Sequence, residues 1–164
     1  MKHLIRDAEQ SDIEPIRSVA SITWWATYGD LRNPEWIRSH LAEYYSPELL
    51  AEQIASAAST DGAHFLVATE DGEVRGYLHF HQLADQGPYL RRLYVLPGAQ
   101  GQGLGKSLVE ELHSRLAPGS SYLLDVHHEN SRAISFYESL GAVATGERLE
   151  PCWDYYRVVV PDAS

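Results

Sequence analysis

The sequence predicts one α/β (α+β) domain in which a central, mixed but mostly antiparallel sheet is flanked by helices. Three observations carry that expectation. Short strand-like runs with turn signals between them fill the middle of the chain. Two amphipathic stretches follow, alternating with further strand-like runs. The front third instead shows helical spacing behind helix-start signals. At 164 residues the chain suits a single domain spanning 1–164. A domain of this size buries roughly 70% of its unfolded surface without a metal or disulfide staple.

Residues 4–6 read as a first strand. Ser11-Asp12-Ile13-Glu14 has the pattern of a capping box. Ile13, Ile16, Val19, Ala20 and Thr23 then keep helical spacing, and Gly29 marks the stop. Asn33-Pro34 and Ser46-Pro47 each place a capping side chain before a first-turn proline, which predicts helices over 34–44 and 47–58. Strands over 65–68 and 74–81 are joined by the hairpin signal Asp71-Gly72. A third run, 89–95, stops before Pro97. After a glycine-rich loop, Leu104, Leu108, Val109, Leu112 and Leu116 form one helical stripe that Pro118-Gly119 ends. A strand over 122–126 follows. Asn130 caps a helix carrying Ala133, Ile134, Tyr137 and Leu140, and Gly141 terminates it. Strands over 142–145 and 153–160 complete the chain.

Thirteen Lys and Arg stand against 23 Asp and Glu, a net charge of −10. That balance argues against nucleic acid as a partner, because a phosphate-backbone binder needs clustered basic residues. A membrane span or signal peptide needs a long apolar run, and none is present. The single cysteine, Cys152, has no partner for a disulfide or a Cys-x-x-Cys zinc pair, and reads as a packing residue. No metal is expected: His127-His128-Glu129 is the one local cluster of ligand types, and adjacent residues diverge on a strand. The setting expected is the reducing cytoplasm. A homodimer is left open.

The most informative stretch is Tyr94-Val95-Leu96-Pro97-Gly98-Ala99-Gln100-Gly101-Gln102-Gly103-Leu104-Gly105-Lys106-Ser107. A strand runs into a glycine loop and then directly into a helix. Backbone N–H groups can converge there on the positive end of the helix dipole, which makes a cradle for phosphate. A Walker A loop would need glycine at position 100, where Gln100 stands, although Gly105-Lys106-Ser107 supplies its end and Tyr122-Leu123-Leu124-Asp125 imitates a Walker B strand. A Rossmann loop starting at Gly101 would need glycine at 106, where Lys106 stands.

A third pattern fits without a gap. Gln100-Gly101-Gln102-Gly103-Leu104-Gly105, preceded by Val95-Leu96-Pro97, resembles the acyl-coenzyme A loop of the GNAT superfamily of N-acetyltransferases. The stretch from Asn130 through Ala133, Phe136 and Tyr137 to Gly141 resembles that family's second signature. The resemblance covers essentially the whole chain. It implies a GNAT-type acyltransferase fold, with acetyl-coenzyme A as cosubstrate and no metal. It also implies that Leu93, Tyr94 and Val95 pair with the pantetheine arm, with the Val95 amide near the thioester carbonyl. Gln100, Gly101, Gln102, Gly103, Leu104, Gly105 and Lys106 would hold the pyrophosphate, with Ser107 at the edge. Asn130 would meet the pantetheine region, and Tyr137 would give a proton to the departing thiolate.

Many relatives carry a base as Glu on the strand before Val-x-Pro. Here that strand reads Tyr89-Leu90-Arg91-Arg92-Leu93 and has no carboxylate. Alternation puts His79 and His81 on one face of the preceding strand, and imidazole suits a base near neutrality. Tyr89, Asp85 or a water chain are alternatives. For the acceptor, the segment from Trp24 to Leu49 is similar to a bacterial polyamine-acetyltransferase subgroup. Residues 30–61 hold six carboxylates against two arginines, amid aromatics, a composition suited to a small cationic amine. Trp25, Tyr28 and Tyr89 are the expected acceptor contacts. A peptide N-terminus, a ribosomal protein, an antibiotic, or a non-catalytic acyl-coenzyme A module stay open as alternatives.

Overall fold

A computed structural model describes residues 3–162. Seven strands form one sheet: β1 (His3–Asp7), β2 (His64–Glu70), β3 (Glu73–Leu83), β4 (Gly87–Val95), β5 (Ser121–His127), β6 (Val143–Glu150) and β7 (Trp153–Val159). Their spatial order is β1-β2-β3-β4-β5-β7-β6, and only the β4–β5 pair is parallel. The helices are α1 (Ile13–Tyr28), α2 (Pro34–Tyr44), α3 (Pro47–Ser59), α4 (Leu104–Ser114) and α5 (Ser131–Ser139). The chain thus has the mixed, mostly antiparallel sheet and flanking helices that its pattern predicts. No helix among the described residues is long and apolar enough to cross a membrane.

The central strands are covered on both sides, which explains why β2 reads as a nearly continuous apolar run. Phe65, Val67 and Tyr77 face α1–α3, packing with Ile16, Trp24, Ile37 and Leu50. Leu66, Ala68, Leu78 and Phe80 face the other way, onto Leu104, Leu108 and Leu112 of α4. The two cores are separated by one thickness of sheet. Asp71 and Gly72 both take positive φ, 51° and 85°, as a two-residue hairpin turn between twisted strands requires.

The proline-led helices α2 and α3 begin as expected, Asn33 and Ser46 accepting hydrogen bonds from the amides of Trp36 and Leu49. The start of α1 differs. A short 3₁₀ turn, Gln10–Asp12, precedes it, and the capping box belongs to that turn, one step earlier than Ser11–Glu14: the Glu9 side chain accepts from the Asp12 amide while Asp12 accepts from the Glu9 amide at 2.8 Å. Asp12 is nearly buried and also takes a bidentate bond from Arg6, whereas Glu14 pairs outward with Arg17. The buried carboxylate with two kinds of donor wins over the exposed hydroxyl.

Two irregularities in β4 create the molecule's main opening. Leu90 pairs with Phe80 and Arg92 with His79, so Arg91 is an extra residue, a β-bulge. Both arginines consequently reach the α2 side: Arg91 lies over the Tyr44 ring and Arg92 over the Tyr45 ring. Beyond the bulge β4 leaves β5, and the two strands share the single parallel pairing Tyr89↔Leu123. The hydrogen bond from the Leu96 amide to the Arg75 carbonyl fixes the alternation on the other edge. It turns the N–H and C=O groups of Leu93 and Val95 away from β3 and toward the gap.

Candidate active site

The gap between β4 and β5 widens into a cleft of about 1450 Å³ that runs through the molecule beside α1, α2, α4 and α5. One end is the glycine loop. Gly101 and Gly103 have φ of 83° and 80°, and a Cβ at either would meet no protein atom within 4 Å. Both therefore adopt a left-handed backbone around open space, which is the form of an anion-binding concavity at a helix start. Gly103 is the N-cap of α4. Gly105 serves packing, since a Cβ there would lie 3.4 Å from the Phe136 ring.

The cleft wall includes Leu93, Tyr94, Val95, Gln100, Gly101, Gly103, Leu104, Gly105, Lys106, Asn130 and Tyr137, so both sequence signatures converge on one space. Gln102 and Ser107 are not part of that wall. The Ser107 amide is already spent on the Gly103 carbonyl inside the first turn of α4. The Gln100 side chain donates to the Val95 carbonyl at 3.1 Å, tying the loop back to the strand end. Lys106 is exposed and its Nζ lies 3.9 Å from Glu110, a loose surface pair.

Asn130 caps α5 by accepting from the Ala133 amide at 3.2 Å. Tyr28 lines the same cleft, and burial pushes its hydroxyl up to about 12. Tyr137 reaches the cleft from α5, and burial, with Tyr122, Tyr28 and Asp125 adding to it, raises its hydroxyl well above the usual phenol value. It holds its proton throughout the neutral range.

The expected bases fare differently. His79 and His81 do share a face, with rings 4.9 Å apart, but neither lines the cleft. His79 is 3% exposed and stacked on Phe65, and its Nδ1 lies 3.2 Å from Arg92 Nη1. Arginine can only donate, so that nitrogen is committed as an acceptor. Burial and then Arg92 push the His79 pKa well below the histidine range. His81 falls to about 4, through burial and then Arg91 and Arg92. The catalytic assignment to these histidines is corrected on that ground.

The cleft wall also carries a carboxylate that sequence reading did not connect to the site. Asp125 on β5 lines the cleft, and the Tyr89 hydroxyl donates to its Oδ1. Burial raises Asp125 above the ordinary carboxylate value, with Tyr89 and Arg91 opposing. Tyr89 and Asp125 sit beside the one bridge that still joins β4 to β5.

The other end of the cleft is aromatic. Trp24, not Trp25, lines it with Tyr28, Trp36, Tyr44 and Trp153; Trp25 instead lies under the Arg38 guanidinium, 5.6 Å away. Helical phase decides this, since Trp24 is 3% exposed and faces the sheet. Of the six carboxylates between 30 and 61, Glu43 alone reaches the cleft wall, and Asp85, Asp125 and Glu150 supply the rest of its negative charge. His40 lies in a stack with Trp24, ring centroids 3.9 Å apart.

A strand gap facing peptide groups, continuous with a glycine cradle at a helix start, suits an extended ligand arm that ends in a phosphate. Residues 25–142 match the model of the acetyltransferase (GNAT) family. The chain is 31% identical over 139 residues to a spermidine N(1)-acetyltransferase of Thermoplasma acidophilum, covering 84% of this chain and 86% of the relative. It superposes on the crystal structure of the PaiA N-acetyltransferase from Thermoplasma acidophilum in complex with coenzyme A with a TM-score of 0.86, at 28% identity, over 97% of this chain and 99% of that one. A peptidyl-lysine N-acetyltransferase, YjaB of Salmonella typhimurium, is 29% identical over 70% of this chain and 72% of its own. The chain belongs to the GNAT family and is an acetyl-coenzyme A-dependent N-acetyltransferase.

The histidine environment makes a stability prediction. The folded protein refuses a proton on His40 and His81 until about pH 4, whereas the unfolded chain accepts one near 6.5. Stability should be full above pH 6.5 and fall as pH drops from 6.5 toward 4. Urea unfolding at stepped pH measures this, and His40→Phe, which keeps the stack, should flatten the slope.

Proposed function

We propose that the acceptor is a small molecule with more than one amine, a polyamine being the leading candidate. One observation carries the reading: the cleft that holds the glycine cradle is also lined by Trp24, Tyr28, Trp36, Tyr44 and Trp153 and by the carboxylates Glu43, Asp85, Asp125 and Glu150. Carboxylates and aromatic faces together attract a cation. The relationship to a spermidine acetyltransferase supports the same class.

Bound acetyl-coenzyme A supplies the acetyl thioester. The amides around Gly101 and Gly103 hold its pyrophosphate, and the peptide groups of Leu93 and Val95 hold the pantetheine arm. Asp125 is the base that takes a proton from the acceptor ammonium, and Tyr89 keeps the carboxylate in place. Arg91, half-buried in the same cleft, favours the neutral form of a nearby amine, because like charge disfavours the ammonium. Tyr137, protonated at every working pH, gives its proton to the leaving thiolate. Asn130 orients the cosubstrate while capping α5.

A second reading, acetylation of protein lysine side chains, has the peptidyl-lysine relative in its favour. A single aliphatic ammonium on a chain is the shared chemistry. The two differ in what surrounds it.

Replacing Asp125 with Asn should lower kcat roughly 10²–10⁴-fold and remove the acid limb of the pH–rate profile, which lies above the ordinary carboxylate range. Tyr137→Phe should lower kcat by a similar factor while coenzyme affinity, read by calorimetry, stays within about threefold. Unchanged turnover in either variant, with chemistry rate-limiting, removes that residue from the mechanism.

A panel of spermidine, a monoamine, lysine peptides and an aminoglycoside, assayed by release of free coenzyme A thiol, tests the acceptor. Spermidine should have the highest kcat/KM. Its KM should rise with salt, since charges beyond roughly 8 Å are screened at physiological ionic strength. Peptides ahead by tenfold or more would replace the polyamine reading with the protein-lysine one.

A further inference from the structure

At the far end of β5, beside the mouth of the cleft, the structure assembles a group that plain strand alternation does not predict. The rings of His127 and His128 are stacked, 5.0 Å between centroids and 16° between planes. Adjacent residues on a regular strand would point to opposite faces, but β5 ends at His127 and the chain turns there. The turn before β7 brings in Cys152, whose carbonyl accepts from the His128 amide at 2.8 Å. One ligand atom from each of His127, His128 and Cys152 lies within 4.8 Å of the others. Glu129 Oε1 is 3.8 Å from His128 Nε2, within reach as the carboxylate that supports a metal-bound imidazole.

The geometry points to a binding site for one borderline-soft divalent cation of the Zn²⁺ class, held by His127, His128 and Cys152, that slows acetyl transfer when filled. Two imidazoles and a thiolate are a zinc-type donor set, and three protein ligands leave a fourth position for water. Ligand atoms now within 4.8 Å need to close by roughly 1 Å to fit bonds of about 2.0–2.3 Å. His128 is exposed and Cys152 half-buried, so an ion can enter from solvent, and the thiol releases its proton on binding.

The inhibitory sign follows from what His127 does without an ion. It is 2% exposed, and its Nδ1 accepts the Glu129 amide at 3.1 Å while its carbonyl accepts the Asn130 amide at 2.9 Å. An Nδ1 that accepts leaves the proton on Nε2. Ligation through Nδ1 displaces the Glu129 amide, and ligation through Nε2 moves the proton to Nδ1 and breaks the same bond. Either way the turn that delivers Asn130 to the cleft and to the cap of α5 loosens. Trp153, which packs edge-on against His127 at 5.2 Å and lines the cleft, couples a second wall residue to the ion.

The test uses the metal alone on the full chain. Co²⁺ titration should give one equivalent of binding with a thiolate-to-metal charge-transfer absorption, and Zn²⁺ should displace it. Cys152→Ser and His128→Ala, both at surface-accessible positions, should each weaken Zn²⁺ binding by at least the roughly ten- to a hundredfold that loss of a merely supporting partner costs, and shift Zn²⁺ inhibition by the same factor. Their metal-free activity should match the parent, and circular dichroism confirms that they fold. Absence of the thiolate absorption, or equal Zn²⁺ inhibition in parent and both variants, overturns the site. Binding with full activity retained overturns its inhibitory role. Because the readouts are metal spectra and the metal dependence of rate, they are separate from the identity of the acceptor.

Discussion

The structure turns on one unmade set of hydrogen bonds. β4 and β5 are neighbours in a sheet, yet they share a single pairing and then part. An edge exposed inside a sheet leaves peptide groups that must find water or a ligand, because an unpaired buried backbone group costs as much as a lost hydrogen bond. The bulge at Arg91 begins the separation, and the packing of α1 and α5 on opposite faces keeps it open. An extended ligand arm with alternating donors and acceptors is the natural occupant of such a gap. The glycine loop at the start of α4 opens into the same cleft, and Asp125 lines it beside the last bridge between β4 and β5.

Net charge and local charge act at different ranges here. The chain carries −10, but most of the acids of α2 and α3 are solvated or paired on the surface, as Glu35 is with Arg38. The cleft itself mixes signs. Arg91 acts on Asp125, and Arg92 is held by neutral acceptors: Gln53, the Tyr44 carbonyl and His79. Burial, and then the two adjacent cations, keep His79 and His81 neutral, and the same positive charge favours an unprotonated amine nearby. Burial raises Asp125 above the ordinary carboxylate value, and the Tyr89 hydroxyl and Arg91 oppose that rise.

Much of this is legible in the amino-acid sequence. The glycine loop and the Asn130–Gly141 signature are local patterns whose chemistry depends on a few neighbouring residues, and both meet in the cleft. Helix starts marked by a capping side chain and a proline were equally plain. What stayed hidden depends on contacts between distant residues. Tyr89 and Asp125 are 36 residues apart, and nothing near either one announces the other. The bulge at Arg91 carries no glycine or proline to mark it. Alternation correctly put His79 and His81 on one face, but whether that face meets the cleft or the core depends on Phe65 and Arg92 packing over it. Trp24 and Trp25 differ by 100° of helical phase, which periodicity alone did not resolve. The divergence expected of His127 and His128 fails because the strand ends between them.

Amide hydrogen exchange at Leu93 and Val95 tests the central claim most directly, since these groups face a gap that only a ligand closes. In the free protein both should exchange far faster than the Tyr94 amide between them, which bonds to β3. Saturating coenzyme A should slow both by at least about tenfold while Tyr94 changes little. Slow exchange of Leu93 and Val95 without ligand, or rates indifferent to coenzyme A, would contradict the account of an open strand edge filled by the cosubstrate.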